Sequence, residues 1–321
     1  MDPVTQAALG AACSQAILHQ YDRKNAWIVG ALGGTAADLD LLIRSANDPM
    51  LTLIYHRQFT HSFIFIPFGA ILVTLALIPF QRFRERWRLT FWAAFIGYAT
   101  HALLDTCTSY GTVLFWPLAN TRYAWDLISI VDPVFTVFLG AGVIGTLVYD
   151  NRKPVFLGII LAGAFLSVNA LQHHRALAAV QAYAHENHLQ ISRLRVFPEL
   201  ASSTHWRSVA FSGNKLVLAR VATPWFSKSE VDSTALFPAF SGDELPDYVY
   251  HSGDQLRDLT IFNWFTDGYL LLVSRNPLIL ADARYIIGNE SLRALWGIGF
   301  KPGKPHVDDL RMITLNTQDR L

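Results

Sequence analysis

The sequence predicts an α-helical membrane bundle of about five or six helices, followed by a smaller β-rich extracytoplasmic domain. Hydrophobic residues make up 52% of the 321-residue chain and charged residues only 16%, whereas soluble domains usually carry about 25% charged residues. This shortage of charge lies almost wholly before residue 173, and short alternating runs follow it. The net charge of +1 lacks the basic excess typical of nucleic-acid-binding proteins, so no nucleic-acid partner is expected.

The first 172 residues contain the segments expected to enter the membrane. The stretches 62–81 and 154–172 carry no charged residue, and a helix needs about 20 apolar residues to cross a bilayer. Both are therefore predicted to span it. The remaining helices are predicted at residues 4–19, 26–42, 89–109 and 133–149.

Basic residues predict the orientation of these helices. The turns 20–25, 81–88 and 150–154 together carry eight Lys or Arg residues, whereas the alternate loops 43–61 and 109–131 carry three. Because cytoplasmic loops are enriched in Lys and Arg, the first set is predicted to be cytoplasmic. The chain is then a multi-pass protein of a bacterial inner membrane, with everything after the last span outside the cytoplasm.

The chain changes character after residue 172. Residues 173–190 predict a connecting helix, and residues 191–321 predict a β-rich domain because short apolar runs alternate with turn residues. Asp267-Gly268 is typical of a hairpin turn. Strands are predicted at Leu194–Phe197, Ser208–Phe211, Leu216–Val221, Thr260–Phe265, Tyr269–Ser274 and Arg293–Phe300.

Histidine and aspartate residues collect at the predicted outer ends of the helices. His101 and Asp105 are four residues apart on one helix and so share a face. Such a pair can hold one metal ion or flank two. The other members of this set are His56 and His61, just before the uncharged stretch, and Asp38 and Asp40, at the end of the second helix.

This set predicts a metal site with nitrogen and oxygen ligands. The two cysteines, Cys13 and Cys107, lie in apolar segments, so thiolate ligands are not expected. Imidazole and carboxylate ligands suit zinc, and also manganese or iron. The ligand types alone do not choose among these three metals. The predicted metal ligands are Asp40, His56, His61, His101 and Asp105.

Asp38 and Arg57 are the candidate catalytic residues. Asp38 could be a further ligand, or a carboxylate that hydrogen-bonds to one. Arg57 could bind a phosphate through two hydrogen bonds, or it could anchor the chain at the level of the lipid headgroups. A divalent metal lowers the pKa of a bound water toward about 7, so such a site can supply hydroxide at neutral pH.

An ordered set of short motifs resembles the bacterial membrane-bound metal-dependent hydrolase family of inner-membrane proteins. That family has a His/Asp pattern similar to that of zinc-dependent phospholipase C. The resemblance implies zinc as the metal and a lipid or other phosphoester as the substrate, and the predicted orientation puts the site at the outer face of the membrane. The motifs are Met1–Gly10, Gly34–Asp40, His56–Ser62, His101–Asp105, Tyr110–Pro117, Ile130–Pro133, Asp282–Tyr285 and Leu295–Ile298.

Two other functions fit the same residues. A proton-coupled transporter would use His101 and Asp105 as a proton relay inside the membrane, where ionisable residues are rare and usually functional. Alternatively, the metal could be structural, in a non-catalytic membrane protein whose outer domain binds a partner.

Overall fold

A computed structural model describes residues 1–288 and 291–315 of the chain. Within these residues the α-helices are α1 (Pro3–Leu18), α2 (Ala26–Ala36), α3 (Leu51–Tyr55), α4 (Ile66–Leu77), α5 (Gln81–Arg84), α6 (Trp87–Thr106), α7 (Pro133–Tyr149), α8 (Lys153–Glu186), α9 (Asp247–Tyr250) and α10 (Gly253–Phe265). The strands are β1 (Ile191–Pro198), β2 (His205–Ser212), β3 (Lys215–Ala222), β4 (Glu230–Pro238), β5 (Leu270–Arg275), β6 (Leu278–Asp282), β7 (Ile286–Ile287), β8 (Arg293–Gly299) and β9 (Asp308–Thr314).

The chain divides into two compact units. The helical unit comprises Met1–Leu42, Tyr55–Gln172 and Pro198–Ser203. The second unit comprises Ile43–Ile54, His173–Phe197 and the residues from Thr204 onward.

The prediction of a five- or six-helix membrane bundle is wrong. Among the described residues, α8 is the one helix both long and apolar enough to cross a bilayer, with 34 residues and an 18-residue stretch whose mean hydropathy is 2.0. A second candidate exists only if Leu51–His61 and Phe63–Leu77 are counted as one span, although the two pieces are bent by 63°.

Helix length explains most of the difference between the five or six predicted spans and the one candidate span. A span takes about 20 residues, whereas α2 has 11, α4 has 12 and α7 has 17. The uncharged stretch 62–81 does not form one helix, because 3₁₀ turns precede α4 and Pro67 lies in its first turn. Helix α6 has 20 residues, but polar side chains such as those of His101 and Asp105 lower its hydropathy.

Glycines let the helices of the first unit pack at backbone contact. A Cβ atom on Gly97 of α6 would lie 2.2 Å from the carbonyl oxygen of Gly30 in α2. One on Gly34 of α2 would lie 2.5 Å from the carbonyl oxygen of Gln6 in α1. Small residues permit such close approach, and the contact brings the C-terminal ends of α2 and α6 together.

The second unit contains two β-sheets packed face to face. The first sheet has the strand order β1-β2-β3-β4, and the second has the order β5-β6-β8-β7 with β9 paired to β8. Side chains such as Leu216 and Phe237 of the first sheet share a core with Leu271 and Ala281 of the second. The result is a large sandwich-like β region.

The C-terminal half of α8 covers the other face of the first sheet. Its residues Ala176 and Val180 pack against Trp206 and Val221 of that sheet. The predicted last span and the predicted connecting helix therefore belong to one continuous helix, Lys153–Glu186.

Two local predictions in this unit are wrong. The strand predicted at Thr260–Phe265 is helical, because α10 starts at a Ser252 cap and buries Leu259 and Phe262 at helical spacing. The Asp267-Gly268 turn joins α10 to β5 and does not join two strands.

The Asp282–Tyr285 motif has a structural role in this unit. Two nitrogens of the buried Arg284 side chain donate to the Asp282 carboxylate, Nε at 2.9 Å and Nη2 at 2.7 Å. Trp296 Nε1 donates to the same carboxylate at 3.1 Å. The motif is therefore a satisfied buried ion pair.

Replacing Gly97 by alanine should destabilise the helical unit. The added methyl group meets backbone atoms of α2 that cannot move independently, and such overpacking typically costs about 1–3 kcal/mol. We expect a lower thermal midpoint in detergent, followed by circular dichroism at 222 nm. The matched control is Gly140→Ala in α7, where nothing lies within 4 Å of the added atom. Equal midpoints for the two variants would contradict the close packing.

Candidate metal centre

The candidate site forms where the C-terminal ends of α2 and α6 meet the segment 55–62. A 3₁₀ helix, Ala37–Leu42, continues α2 and carries Asp38 and Asp40. Arg57 adopts a left-handed backbone conformation with φ of 63°, which reverses the chain before the 3₁₀ turn Phe59–His61. This reversal lets both His56 and His61 face the same carboxylates although they are five residues apart.

Four side chains converge on one point. They are Asp38, His61, His101 and Asp105, whose ligand atoms all lie within 4.8 Å of one another. The two imidazole Nε2 atoms are 2.9 Å apart. His61 Nε2 lies 3.3 Å from Asp105 Oδ2 and 3.6 Å from Asp38 Oδ1. His101 Nε2 lies 3.4 Å from Asp38 Oδ1 and 3.6 Å from Asp105 Oδ2.

These separations fit a tetrahedral metal ion. Zinc binds imidazole nitrogen and carboxylate oxygen at about 2.0–2.2 Å, so the edges of its ligand tetrahedron measure about 3.3–3.6 Å. Four of the five distances above fall within or close to that range. Asp105 Oδ2 is buried and has no hydrogen-bond partner among the described residues, as expected of an atom with a ligand role.

Hydrogen bonds orient the two imidazoles toward this point. His101 Nδ1 lies 2.5 Å from the carbonyl oxygen of Gly34. A carbonyl oxygen only accepts, so Nδ1 carries the proton and Nε2 of the neutral ring has a free lone pair. His61 Nδ1 faces Thr60 Oγ1 at 3.0 Å and Asp40 Oδ2 at 3.3 Å. Such contacts to the far nitrogen are usual for metal-binding histidines.

Asp40 lies beside this set and contacts the rear of the histidine rings. Its Oδ1 is 2.8 Å from His56 Nδ1. Its Oδ2 accepts hydrogen bonds from Thr60 Oγ1 at 2.7 Å and from the backbone nitrogen of Arg57 at 3.0 Å. Asp38, Asp40 and His56 form a second group within 4.8 Å, so Asp38 belongs to both groups.

Arg57 is buried against Asp105. Its Nε lies 3.0 Å from Asp105 Oδ2, without hydrogen-bond geometry, and its Nη1 donates to Thr108 Oγ1 at 3.0 Å. The guanidinium also lies over the ring of Tyr110, 4.6 Å from its centroid. A buried cation here offsets the charge of Asp105. This placement makes Arg57 a positioning residue for Asp105.

The two aspartates of the 3₁₀ helix are held as anions. Burial opposes ionisation of Asp38, but when no cation is bound, contacts with the protonated forms of His101 and His61 outweigh it and keep the pKa of Asp38 below its usual range. Burial likewise opposes ionisation of Asp40, and hydrogen bonds from His56 and His61 keep its pKa low. Both carboxylates are therefore in the form that binds cations.

The cluster has one partly open side. The side chains of His61, His101 and Asp105 are fully buried, whereas those of Asp38 and His56 are 17% and 12% exposed. Access to the four-group set is therefore from the side of Asp38.

Several supporting residues were not identified from the sequence. Gln6 Nε2 donates to Asp105 Oδ1 at 2.9 Å, and Thr60, Thr108 and the Gly34 carbonyl orient other members of the site. The amino nitrogen of Met1 also contacts Asp105 Oδ1. Gln6, Gly34 and Thr60 stand inside the Met1–Gly10, Gly34–Asp40 and His56–Ser62 motifs, and this was the available sequence signal. Thr108 lies in none of the motifs, so its contact with Arg57 could be found only from the packing of the helices.

A third group in the second unit is an ion-pair network. Asp48, Asp258 and His306 lie within 4.8 Å of one another. Arg257 donates to Asp48 Oδ2 at 2.8 Å and to Asp258 Oδ1 at 3.3 Å. With a guanidinium already between the two carboxylates, this group is a poor candidate for a metal site.

Comparison with known proteins identifies the family. The model described as YdjM inner membrane protein matches residues 1–176. This is more than half of the chain, so the chain belongs to the YdjM inner membrane protein family. No curated protein and no solved structure matches it. The match confirms the inner-membrane location, and hydrolysis, zinc binding and the similarity to phospholipase C stay predictions.

Proposed function

We propose that this inner-membrane protein binds a divalent metal ion, zinc in the first instance, through Asp38, His61, His101 and Asp105. We further propose that it is a hydrolase acting at the outer face of the membrane. The observation that carries the proposal is the convergence of two imidazole nitrogens and two carboxylate oxygens at ligand-to-ligand distances.

Each residue around the ion has its own role in this proposal. The metal supplies Lewis acidity and lowers the pKa of a coordinated water. Gly34 and Asp40 hold the two imidazoles in the orientation that ligation requires. Arg57 keeps Asp105 in place as an anion. Asp38, on the open side, is the ligand nearest to an incoming substrate.

Exposed apolar side chains support an amphiphilic substrate. Leu39 lies between the two aspartates of the 3₁₀ helix, Leu42 is its last residue, and both are largely exposed. Phe63 and Ile64, two and three residues after His61, are also exposed. A lipid ester could contact these side chains while its polar group reaches Asp38. A phosphoester is the preferred class, on the resemblance to zinc-dependent phospholipase C, and membrane lipids are the expected partners.

The distribution of basic residues supports an outer location for the site. Arg82 donates to Asn25 Oδ1 at 2.8 Å and Arg86 donates to the Tyr21 carbonyl at 2.8 Å. These residues lie at the ends of α1, α2 and α6 opposite to the ligands. Helix α8 starts at the same end, where Arg152 donates to the Ala16 carbonyl and Lys153 follows. Applied to α8, the positive-inside rule puts this end at the cytoplasmic side, so the chain after Gln172 is extracytoplasmic in this proposal.

A structural metal is the second candidate. It is favoured by the burial of His61, His101 and Asp105, because structural zinc sites are closed whereas catalytic ones keep an open position.

The first test is metal content. Wild-type protein purified in mild detergent without chelator should carry about one zinc ion per chain, the number that one four-ligand set holds. His61→Ala, His101→Ala, Asp38→Asn and Asp105→Asn should each lose it after a mild chelator wash, measured by mass spectrometry of the metal. Asp40→Asn should weaken binding by about 10–100-fold, as expected for loss of an orienting partner.

Two controls make this test specific. His188→Ala changes an exposed residue and should retain the metal. His306→Ala removes the histidine of the third group, Asp48, Asp258 and His306. Loss of metal in this variant would show that the metal binds to that group. A ratio near two ions per chain would indicate that Asp38, Asp40 and His56 hold a second one. Wild-type protein without metal would refute the proposal.

The second test separates a hydrolase from a structural metal site. Wild-type protein is assayed on phospholipid vesicles and soluble phosphodiesters, before and after chelation and after return of zinc, manganese or iron. A hydrolase should lose activity on chelation and recover it with metal. A structural site should show no turnover under any condition, while chelation lowers the thermal midpoint because bound metal stabilises the folded state.

The third test is topological. Single cysteines are placed at the exposed positions Asp243→Cys and Glu85→Cys in a Cys13→Ala, Cys107→Ala background. A membrane-impermeant maleimide added to spheroplasts should label the first variant directly and the second only after permeabilisation. The reverse pattern would place the site on the cytoplasmic side.

A further inference from the structure

The loop between β3 and β4 exposes two adjacent aromatic residues. Phe226 is fully exposed and Trp225 is about half exposed. The base of the loop is fixed, because the buried Thr223 donates its backbone nitrogen to the Thr204 carbonyl at 2.8 Å and accepts a hydrogen bond from Trp206 Nε1 at 3.0 Å. The loop therefore has a fixed base and carries the exposed pair Trp225–Phe226 at its tip.

Contacts with α8 fix the position of this tip along the helix. Arg175 Nη2 donates to the carbonyl oxygen of Ser227 at 2.7 Å. Farther along the helix, Tyr183 Oη lies 3.4 Å from Thr234 Oγ1, in the middle of β4. The first sheet thus runs beside α8 with the loop at the end where residue 172 lies. Gln172 is the last residue of the uncharged stretch, and a helix rises only about 4.5 Å over the three residues to Arg175.

The chemistry of the tip matches a membrane interface. Tryptophan concentrates at the level of the lipid headgroups, where its ring is half in the apolar layer. Arg175 and Lys228 flank the aromatic pair, and Lys228 is exposed. Cations beside aromatic residues are typical of segments that lie in the interface of anionic membranes. Glu230, at the start of β4, is the nearest acidic residue along the loop.

We infer that the Trp225–Phe226 tip inserts into the lipid headgroup region beside α8 and gives the second unit its own contact with the bilayer. The inference rests on α8 crossing the membrane, as proposed above. Phe226 and the apolar part of Trp225 enter the lipid, while Arg175 and Lys228 contact the phosphates.

The test measures the environment of single labelled positions in the full-length protein. Phe226→Cys, Ile160→Cys and Met312→Cys are made in the Cys13→Ala, Cys107→Ala background and labelled with an environment-sensitive nitrobenzoxadiazole dye. The proteins are reconstituted into phosphatidylethanolamine–phosphatidylglycerol vesicles. Quenching is measured with lipids that carry a nitroxide near the headgroup and, separately, with aqueous iodide. Ile160 reports on the span, and Met312 is an exposed control on β9.

We expect the probe at position 226 to be quenched several-fold more by nitroxide lipid than the probe at 312, and several-fold less by iodide. A probe at 226 that behaves like the one at 312 overturns the inference while leaving the span intact, provided that the probe at 160 is quenched by lipid. Shielding at 226 from both quenchers also overturns it, because it would mean a protein contact. Lack of lipid quenching at 160 would reject the span itself.

Discussion

The close backbone contact between α2 and α6 is the constraint on which the candidate site depends. Gly30 and Gly97 remove the side chains that would otherwise separate the two helices. One turn beyond this contact, the Gly34 carbonyl meets His101 Nδ1, a hydrogen bond that exists only at this separation. Because that bond selects the free nitrogen of His101, a packing contact between glycines decides the tautomer of this candidate ligand. Helix α1 also packs closely against a glycine, because its backbone contacts Gly34, and this contact places Gln6 against Asp105.

Burying these charged groups costs desolvation free energy, and neighbouring ion pairs and hydrogen bonds offset that cost. Removing one ion from water costs several kcal/mol even after relaxation. Arg57 offsets Asp105 from one side, and Thr60 and the Arg57 backbone satisfy Asp40. At the centre, however, two imidazole nitrogens face each other at 2.9 Å. Two lone pairs at that distance would repel, so either one ring donates a proton to the other or a cation lies between them.

The sequence predicted the local part of this arrangement and misjudged the global part. His101 and Asp105 could be paired from helical periodicity alone, because four residues make about one turn. Their meeting with His61 and Asp38 is non-local and depends on the glycine contacts, so the sequence could only suggest it through shared position at helix ends. The membrane bundle was wrong because lack of charge in the stretch 62–81 says nothing about backbone geometry. The prediction of a strand at Thr260–Phe265 was wrong for a similar reason, because a short apolar run is compatible with both helical and strand periodicity.

The two parts of helix α8 have different surroundings. Its 34 residues extend about 51 Å, well beyond the roughly 30 Å apolar core of a bilayer. Residues 154–172 of this helix are uncharged and expose large side chains such as Ile160 and Leu171, as a lipid-facing surface does. The second half buries Ala176 and Val180 against the first sheet, where small side chains let the helix lie close to the strands. The uncharged stretch and the sheet-covering stretch thus belong to one continuous helix.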